Sequence, residues 1–465
     1  MNIQQLLKKS LLLLFLALMS ITISAADQIT FTWKGSTSGK SFSGIFSPQS
    51  GTIKIDWGDG NGSKSYSADK DSYSVKYATT DEYTVTVTAG TETCRILAFF
   101  AESKGITALN ISKAPLMTTL WGSGNSISEL DFSKNTKIKT ISIYDNNLTS
   151  LDLSKCPELT DLFAANNSIA SINLTKCTKL DLLQFYNNKL TELDLSKNTE
   201  LTSLSCSNNL LTSLDLSKNR KLTYLHLDNN SISTIDLTKH TALTNLNYSK
   251  NLIGNLDLSK NTALTKLNCS HNSSTKLDLT KNTALVTLNC SNNLLTELDL
   301  SKNIEVSDFN CSNNLFTDLD LSKNINILCL RCNNNSFVDL DITNLAKLKE
   351  LYCHDNLLTN IDLSKNIALQ ELYCYNNLLT TLDVSRNTKL TRLNCHTNLL
   401  TELDASYNNI KYLTCYSNRL STLQFPNQLI SLHCSINCLP LSTLYAGYRC
   451  ESSGQPLLGV QTHET

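Results

Sequence analysis

The stretch CSNNLLTELDLSKN, Cys290–Asn303, recurs in near copies through most of the 465-residue chain. The second Asn of CSNN marks the register. It falls at 125, 146, 167, 188, 209, 230, 251, 272, 293, 314, 335, 356, 377 and 398, an unbroken column, and the spacing then shortens to Asn418 and Asn437. A fixed period sustained this long means a solenoid in which each repeat is one coil. About 17 coils fit between residues 94 and 437, with atypical first and last units.

One coil reads L-x-x-L-x-C-x-x-N-x-L-T-x-L-D-L-S-K-N-T-x. Both halves have a strand-like apolar core, and a coil this short leaves no room for a long helix beside them. The expected fold is mostly β, a solenoid with two parallel sheets on opposite sides and few or no helices. The front half carries the pattern L-x-x-L-x-L-x-x-N-x-L with Cys in the third apolar slot, and the back half repeats it in shorter form. This nested pattern resembles bacterial leucine-rich repeats of the 21-residue IRREKO type. It is also similar to Bacteroidota surface proteins that join such repeats to a PKD-like domain. The resemblance covers about 340 residues and speaks for the fold; a solenoid does not dictate a task.

The columns have physical readings. Cys fills the third apolar slot at 206, 269, 290, 311, 332, 353, 374 and 395, where other coils place Ile143, Phe185 or Leu227. A slot shared with those residues is a core slot, and a free thiol behaves as a small buried hydrophobe. A metal ladder or a stack of disulfides suits side chains pointing the same way from parallel strands less well. Cys156 with Cys177, and Cys438 with Cys450, are the pairs placed for disulfides. The Asn column, including Asn209, Asn230, Asn251, Asn272, Asn293, Asn314, Asn335, Asn356, Asn377 and Asn398, is expected to form a structural ladder. Asn side chains can satisfy both amide and carbonyl inside a turn. An Asp column from Asp131 to Asp404 is followed three residues on by a Lys column. It reads as a solvated, self-neutralising face, with calcium along the carboxylates as the alternative.

Residues 1–26 have the form of a leader, with Lys8 and Lys9 before an apolar run and small residues Ser24 and Ala26. Cleavage is placed after Ala26, which implies export to the cell surface or medium, with no membrane span once the leader is gone. Residues 27–93 lack the repeat and alternate as short strands do, with Asp-Gly turns between them. An immunoglobulin-like β-sandwich is expected there. IDWGDG at Ile55–Gly60 followed by YSVKYATTDEYTVTV resembles a PKD-like domain, although Lys76-Tyr77 and Asp81 depart from that family's usual residues. Such domains act as spacers or weak binding modules. Residues 438–465 remain as a C-terminal cap and tail.

Charge excludes some partners. Forty basic residues stand against 41 acidic ones, so no basic field exists to attract nucleic acid. No nucleophile elbow, zinc-protease helix, phosphate loop or isolated carboxylate pair appears. The chain is therefore expected to be non-catalytic, monomeric and without metal or cofactor. Function should lie in the columns that vary. From about the thirteenth coil the outward columns turn aromatic and imidazole-rich, and Tyr352, His354, Tyr373, Tyr375, His396, Tyr412, Tyr416 and His433 are expected to form one patch. Tyr is enriched in contact surfaces, and planar rings with polar tips also suit sugars. The family resemblance implies an exported recognition or adhesion protein that captures a protein ligand on a host or microbial surface. The alternative is a carbohydrate-binding accessory protein using the aromatic face.

Overall fold

The computed structural model describes residues 26–47, 51–90 and 94–440. The leader before Ala26 and the tail beyond 440, with Cys450, lie outside the described residues. The chain divides into two compact units, Met1–Ile138 and Lys139–Thr465. Among the described residues there is no helix, and so none long and apolar enough to cross a membrane.

Among its described residues the first unit holds nine strands: β1 (Gln28–Lys34), β2 (Lys40–Ser47), β3 (Thr52–Asp56), β4 (Ser63–Ser67), β5 (Tyr73–Val75), β6 (Glu82–Ala89), β7 (Arg95–Phe100), β8 (Ile106–Lys113) and β9 (Thr119–Trp121). One antiparallel sheet runs β4-β3-β6-β1-β8. In the other, β2 pairs antiparallel with β5 and β7, and β7 pairs parallel with β9. The period-2 alternation of β1 sends Ile29, Phe31 and Trp33 into the core. There Phe31 meets Phe42 and Phe99 at ring-centroid distances of 5.4 and 5.2 Å, joining the two sheets. The WGDG turn needs its first glycine. Gly58 has φ +72°, and a Cβ there would lie 2.5 Å from the Thr84 carbonyl oxygen. The repeat pattern assigns everything after residue 93 to the solenoid, yet β7 and β8 are paired into these two sheets. β7 (RILAFF) is buried at five consecutive positions, so it serves an antiparallel neighbour on one edge and a parallel one on the other.

The second unit is built on three-residue strands, one per coil, from Thr140–Ser142 to Ser431–His433. Each pairs in parallel with the equivalent strand of the next coil without slippage, as in Thr287↔Asp308, Leu288↔Phe309 and Asn289↔Asn310. The central Leu or Phe points inward and is buried, and the residues beside it face outward. The Cys column is buried behind them. Its thiols point along the stack, as where Cys290 Sγ lies 3.6 Å from the Asn310 carbonyl oxygen.

The Asn column clamps consecutive coils together. Asn293 Nδ2 donates to the carbonyls of Cys290 and Ser291 in its own turn (3.1 and 3.2 Å) and of Cys269 in the preceding coil (3.0 Å). Its Oδ1 accepts the Ser274 N–H of that coil at 3.1 Å. Asn209, Asn230, Asn251, Asn272, Asn314, Asn335, Asn356, Asn377 and Asn398 repeat the arrangement. These amides bind backbone rather than one another. Amide-to-amide bonding occurs one residue earlier, where the chain takes a positive φ near 54°. There Asn187 Nδ2 reaches Asn166 Oδ1 and Asn229 Nδ2 reaches Asn208 Oδ1, both at 2.5 Å. Asn is among the side chains that best tolerate this left-handed conformation.

Among the described residues a second parallel sheet forms only between Glu402–Asp404 and Thr422–Gln424. Along most of the back half no ladder forms among the described residues, and the Asp column makes local bonds whether or not a ladder is present. Asp299 Oδ1 accepts the Ser301 N–H at 2.8 Å, and Asp257, Asp320 and Asp362 do the same two residues on. These Asx turns take up a backbone donor locally and hold the carboxyls below the usual carboxylate range. The Lys column contributes little beside them.

The second Asn of each coil works differently. Asn303 Nδ2 donates to Leu279 and Asn282 carbonyls (3.0 and 2.9 Å), and its Oδ1 has no partner among the described residues. Only a donor is used, so other donors fit. Cys156 and Cys177 stand in this column as free thiols, and Cys177 Sγ points at the Leu153 carbonyl oxygen at 3.7 Å. Fully buried His240 puts Nε2 3.1 Å from the carbonyl oxygen of Leu216. Burial lowers the His240 pKa from its ordinary 6.5. As pH falls below about 6.5 the unfolded chain takes up a proton that the fold excludes, so stability drops with pH at up to about 1.4 kcal/mol per unit for this group. His240→Asn restores the repeat residue and should make the loss of stability between about pH 7.5 and about pH 5.5 smaller in urea unfolding. An unchanged loss would show that His240 is not the excluded proton site.

Candidate functional site

Strict register turns the outward residues of the front strands into columns running from coil to coil. Near the C-terminal end three columns lie side by side. Glu350, Glu371, Arg392 and Tyr412 occupy the first, and Tyr352, Tyr373, Asn394, Thr414 and His433 the second. The third follows the Cys slot and holds His354, Tyr375, His396 and Tyr416.

Rings in the third column stack continuously. Centroids are 4.2 Å apart from His354 to Tyr375, 4.5 Å on to His396 and 4.3 Å on to Tyr416, with interplanar angles of 10°, 15° and 7°. This spacing follows from the inter-strand distance of about 4.8 Å, which leaves aromatic neighbours on adjacent strands little choice but face-to-face packing. In the second column Tyr352 and Tyr373 stack at 4.7 Å and 10°. Six of the eight residues singled out in the sequence thus form two adjoining stacks. Tyr412 is exposed and lies under the Arg392 guanidinium at 4.8 Å. His433 stands apart. Asn394 and Thr414 separate it from Tyr373, so the single patch expected from the sequence is in fact two stacks, a cation–ring pair and an isolated imidazole.

Charged groups that the aromatic pattern did not single out frame these rings. Tyr373 Oη donates to Glu371 Oε2 at 3.3 Å, and Tyr352 Oη reaches Glu350 at 3.4 Å. Partial burial, reinforced by these carboxylates, raises the pKa of both phenols. Arg331 lies over the Tyr352 ring at 5.4 Å and pairs with Asp308 at 2.9 Å and Glu350 at 3.8 Å. His354 Nδ1 is 2.7 Å from Asp355 Oδ2, and His396 Nδ1 is 2.9 Å from Thr397 Oγ1. Burial in the stack lowers the His396 pKa. The signal for Asp308, Glu350, Glu371 and Arg392 lay in the column that begins each front strand, three residues before the Cys slot, whereas Arg331 stands in the ring column itself. The strand-opening column looks like ordinary surface until the register shows which ring each charge meets.

The arrangement offers polar ring edges, phenol and imidazole hydrogen-bonding tips, and fixed charges of both signs. It does not assemble a nucleophile with a base, and among the described residues no three His, Cys, Asp or Glu side chains converge to hold a metal ion. The column thiols are sealed in. Burial pushes Cys206, Cys269 and Cys353 up to about 12 and the remaining buried members higher than their ordinary value. A thiol reagent at about pH 8 should therefore modify exposed Cys438 in the native protein and reach the column only after unfolding, as read by peptide mass mapping. Rapid native labelling of Cys290 or Cys311 would contradict the sealed column.

Comparison with known proteins bears on the fold. No family model matches the chain, and no curated protein compared with it does. Among solved structures, the functional domain of InlJ from Listeria monocytogenes, described as including a cysteine ladder, matches with 34% identity and a TM-score of 0.63. The match covers 74% of this chain and 72% of that one. The leucine-rich-repeat protein LIC12759 from Leptospira interrogans matches at 21% identity and a TM-score of 0.57, over 73% of this chain and 90% of that one. The plant peptide hormone receptor RGFR1, solved in complex with RGF2, matches at 18% identity and a TM-score of 0.62, over 74% and 67%. The period, the buried Cys column and the InlJ likeness agree: the chain belongs to the leucine-rich-repeat proteins.

Proposed function

We propose that this chain is an exported, non-catalytic recognition protein whose C-terminal front face captures a protein ligand at a host or microbial surface. The observation that carries this reading is the pair of adjoining ring stacks, Tyr352–Tyr373 and His354–Tyr375–His396–Tyr416. Stacking on one another costs these side chains their freedom before any partner arrives, so binding has less left to order. Tyr anchors with polar tips, flanked by Arg331 and Arg392, have the composition of contact hot spots. Support for export comes from the leader-like segment 1–26. Under this proposal the N-terminal β unit, with its PKD-like residues, serves as a spacer.

Carbohydrate recognition by the same rings fits less well. A sugar packs its C–H face on an open aromatic face, and here Tyr375 and His396 are covered by rings on both faces and each of the other four on one, at 4.2–4.7 Å. What remains outward is edges, which suit the hydrogen-bonding groups of a protein surface.

The test is an array of purified extracellular-matrix proteins and glycans probed with the chain lacking its leader, beside a Tyr375→Ala/His396→Ala variant whose fold is checked by circular dichroism. A protein ligand should be bound by the parent and weakened about 30-fold in the variant, the ~2 kcal/mol of a contact hot spot. Undiminished binding by the variant would remove the stacks from the interface. Binding to glycans alone would replace the protein ligand.

A further inference from the structure

The middle of the front face carries a second feature that the ring stacks do not explain. Between the strand at Tyr224–His226 and the strand at Cys329–Arg331 the outward side chains are short, and a depression of about 350 Å³ opens there. That volume is within the range of ligand sites. The depression spans five strand-to-strand steps, roughly 24 Å at the usual parallel spacing. Its ends are raised. At one end Tyr224 and His226 stack at 4.1 Å, tied by a 2.8 Å contact between Tyr224 Oη and His226 Nδ1. At the other, Arg331 is held between Asp308, Glu350 and the Tyr352 ring.

The floor is a column of four carboxamides, Asn247, Asn268, Asn289 and Asn310, on consecutive strands. Their orientation is fixed by chemistry. Asn289 Oδ1 accepts the Ser291 backbone N–H at 3.1 Å, and Asn310 Oδ1 accepts that of Ser312 at 3.0 Å. A backbone N–H can only donate, so the oxygen must face it and the NH₂ group must face away. Ser291 and Ser312 hydroxyls reinforce the same orientation at 2.8 and 2.7 Å. Among the described residues the Nδ2 atoms of Asn289 and Asn310 show no partner, whereas Asn247 Nδ2 donates to Asp228 at 2.8 Å and Asn268 Nδ2 to the Ser249 hydroxyl at 3.5 Å. The floor thus presents two fixed donors, Asn289 and Asn310, on adjacent strands.

The occupant follows from what the floor offers and lacks. The apolar residues of the lining, among them Leu267 and Leu288, are buried beneath the carboxamides. No apolar slot is left to anchor a peptide side chain. Arg331 is already paired with its carboxylates, which leaves exposed Lys266 as a single further cation in the lining, too little charge to hold a strongly anionic ligand. An uncharged ligand rich in oxygen acceptors, rigid enough to lie along the column, is a short oligosaccharide, and one pyranose ring is comparable in length with one coil. We propose that the depression between His226 and Arg331 binds a neutral oligosaccharide, whose oxygens accept from the Asn289 and Asn310 amides. The site adjoins the ring stacks only through Arg331 and does not rest on the protein-ligand reading.

The test is titration calorimetry of the chain lacking its leader with neutral tri- and tetrasaccharides of gluco-, manno- and xylo-configuration. The parallel variant is Asn289→Asp/Asn310→Asp. Asp keeps the oxygen that caps the Ser N–H and replaces the outward donor by an acceptor, so the fold is retained while recognition is reversed. Saturable binding of at least one saccharide, weakened tenfold or more in this variant and unchanged in Tyr375→Ala/His396→Ala, is the expected result. No binding across the panel, binding unaffected by the Asp pair, or binding lost equally in the Tyr375/His396 variant would each overturn the proposal.

Discussion

Every coil depends on one carboxamide, the Asn that ends the front half of the repeat and clamps it to the coil before. Three carbonyls and one amide converge on Asn293, two of those four groups belonging to the preceding coil. Those groups lie in the interior of a turn, out of reach of water, and leaving even one unpaired costs about 1–3 kcal/mol. No other side chain of this length supplies both roles. Asp lacks the donor, Ser has a single donor, and an apolar residue would strand all four groups. Because the bond reaches across coils, it fixes where each coil sits on its neighbour as well as the shape of its own turn.

The lateral precision that results is what gives the surface its chemistry. With every front strand in register, a side chain meets its equivalent one coil away at strand spacing, whatever that side chain is. Where the variable columns hold rings, they stack at 4.2–4.7 Å. Where they hold Asn, the same spacing makes a donor floor. The structural columns therefore act as a frame, and the functional character of each stretch is set by the residues that the frame does not specify. A protein of this kind can carry distinct surfaces along one face without altering its core.

Much of this was legible in the sequence. The period announces the solenoid, and the exchange of Cys with Ile143, Phe185 and Leu227 announces a buried slot. What escaped were bonds whose partners are not set by periodicity. The back-half DLSKN segments alternate like strands, yet among the described residues a ladder forms there only between Glu402–Asp404 and Thr422–Gln424, and the Asp-to-Ser turn bond occurs both with and without it. Amide stacking was expected at the clamp Asn and occurs one residue earlier, because the clamp's hydrogen-bonding capacity is spent on backbone. β7 pairs in parallel with β9 at the repeat spacing and also antiparallel with β2, while β8 pairs with β1; pairing partners across the chain leave no trace in local pattern. His433 shares a column with Tyr373 but not a contact, a distinction that only the intervening Asn394 and Thr414 reveal.

The most direct test of the clamp is native-state hydrogen exchange of the backbone amides it captures in the preceding coil, those of Leu190, Leu211, Ile232, Ile253, Ser274 and Leu295. Each sits in a turn segment outside the front strands, where an amide without a fixed partner would exchange quickly. Protection of these six matching that of the front-strand amides is the predicted result. Exchange at the rate of an exposed turn amide such as that of Lys302 would mean that the Asn side chains do not bridge the coils, and the account of the fold would fail with them.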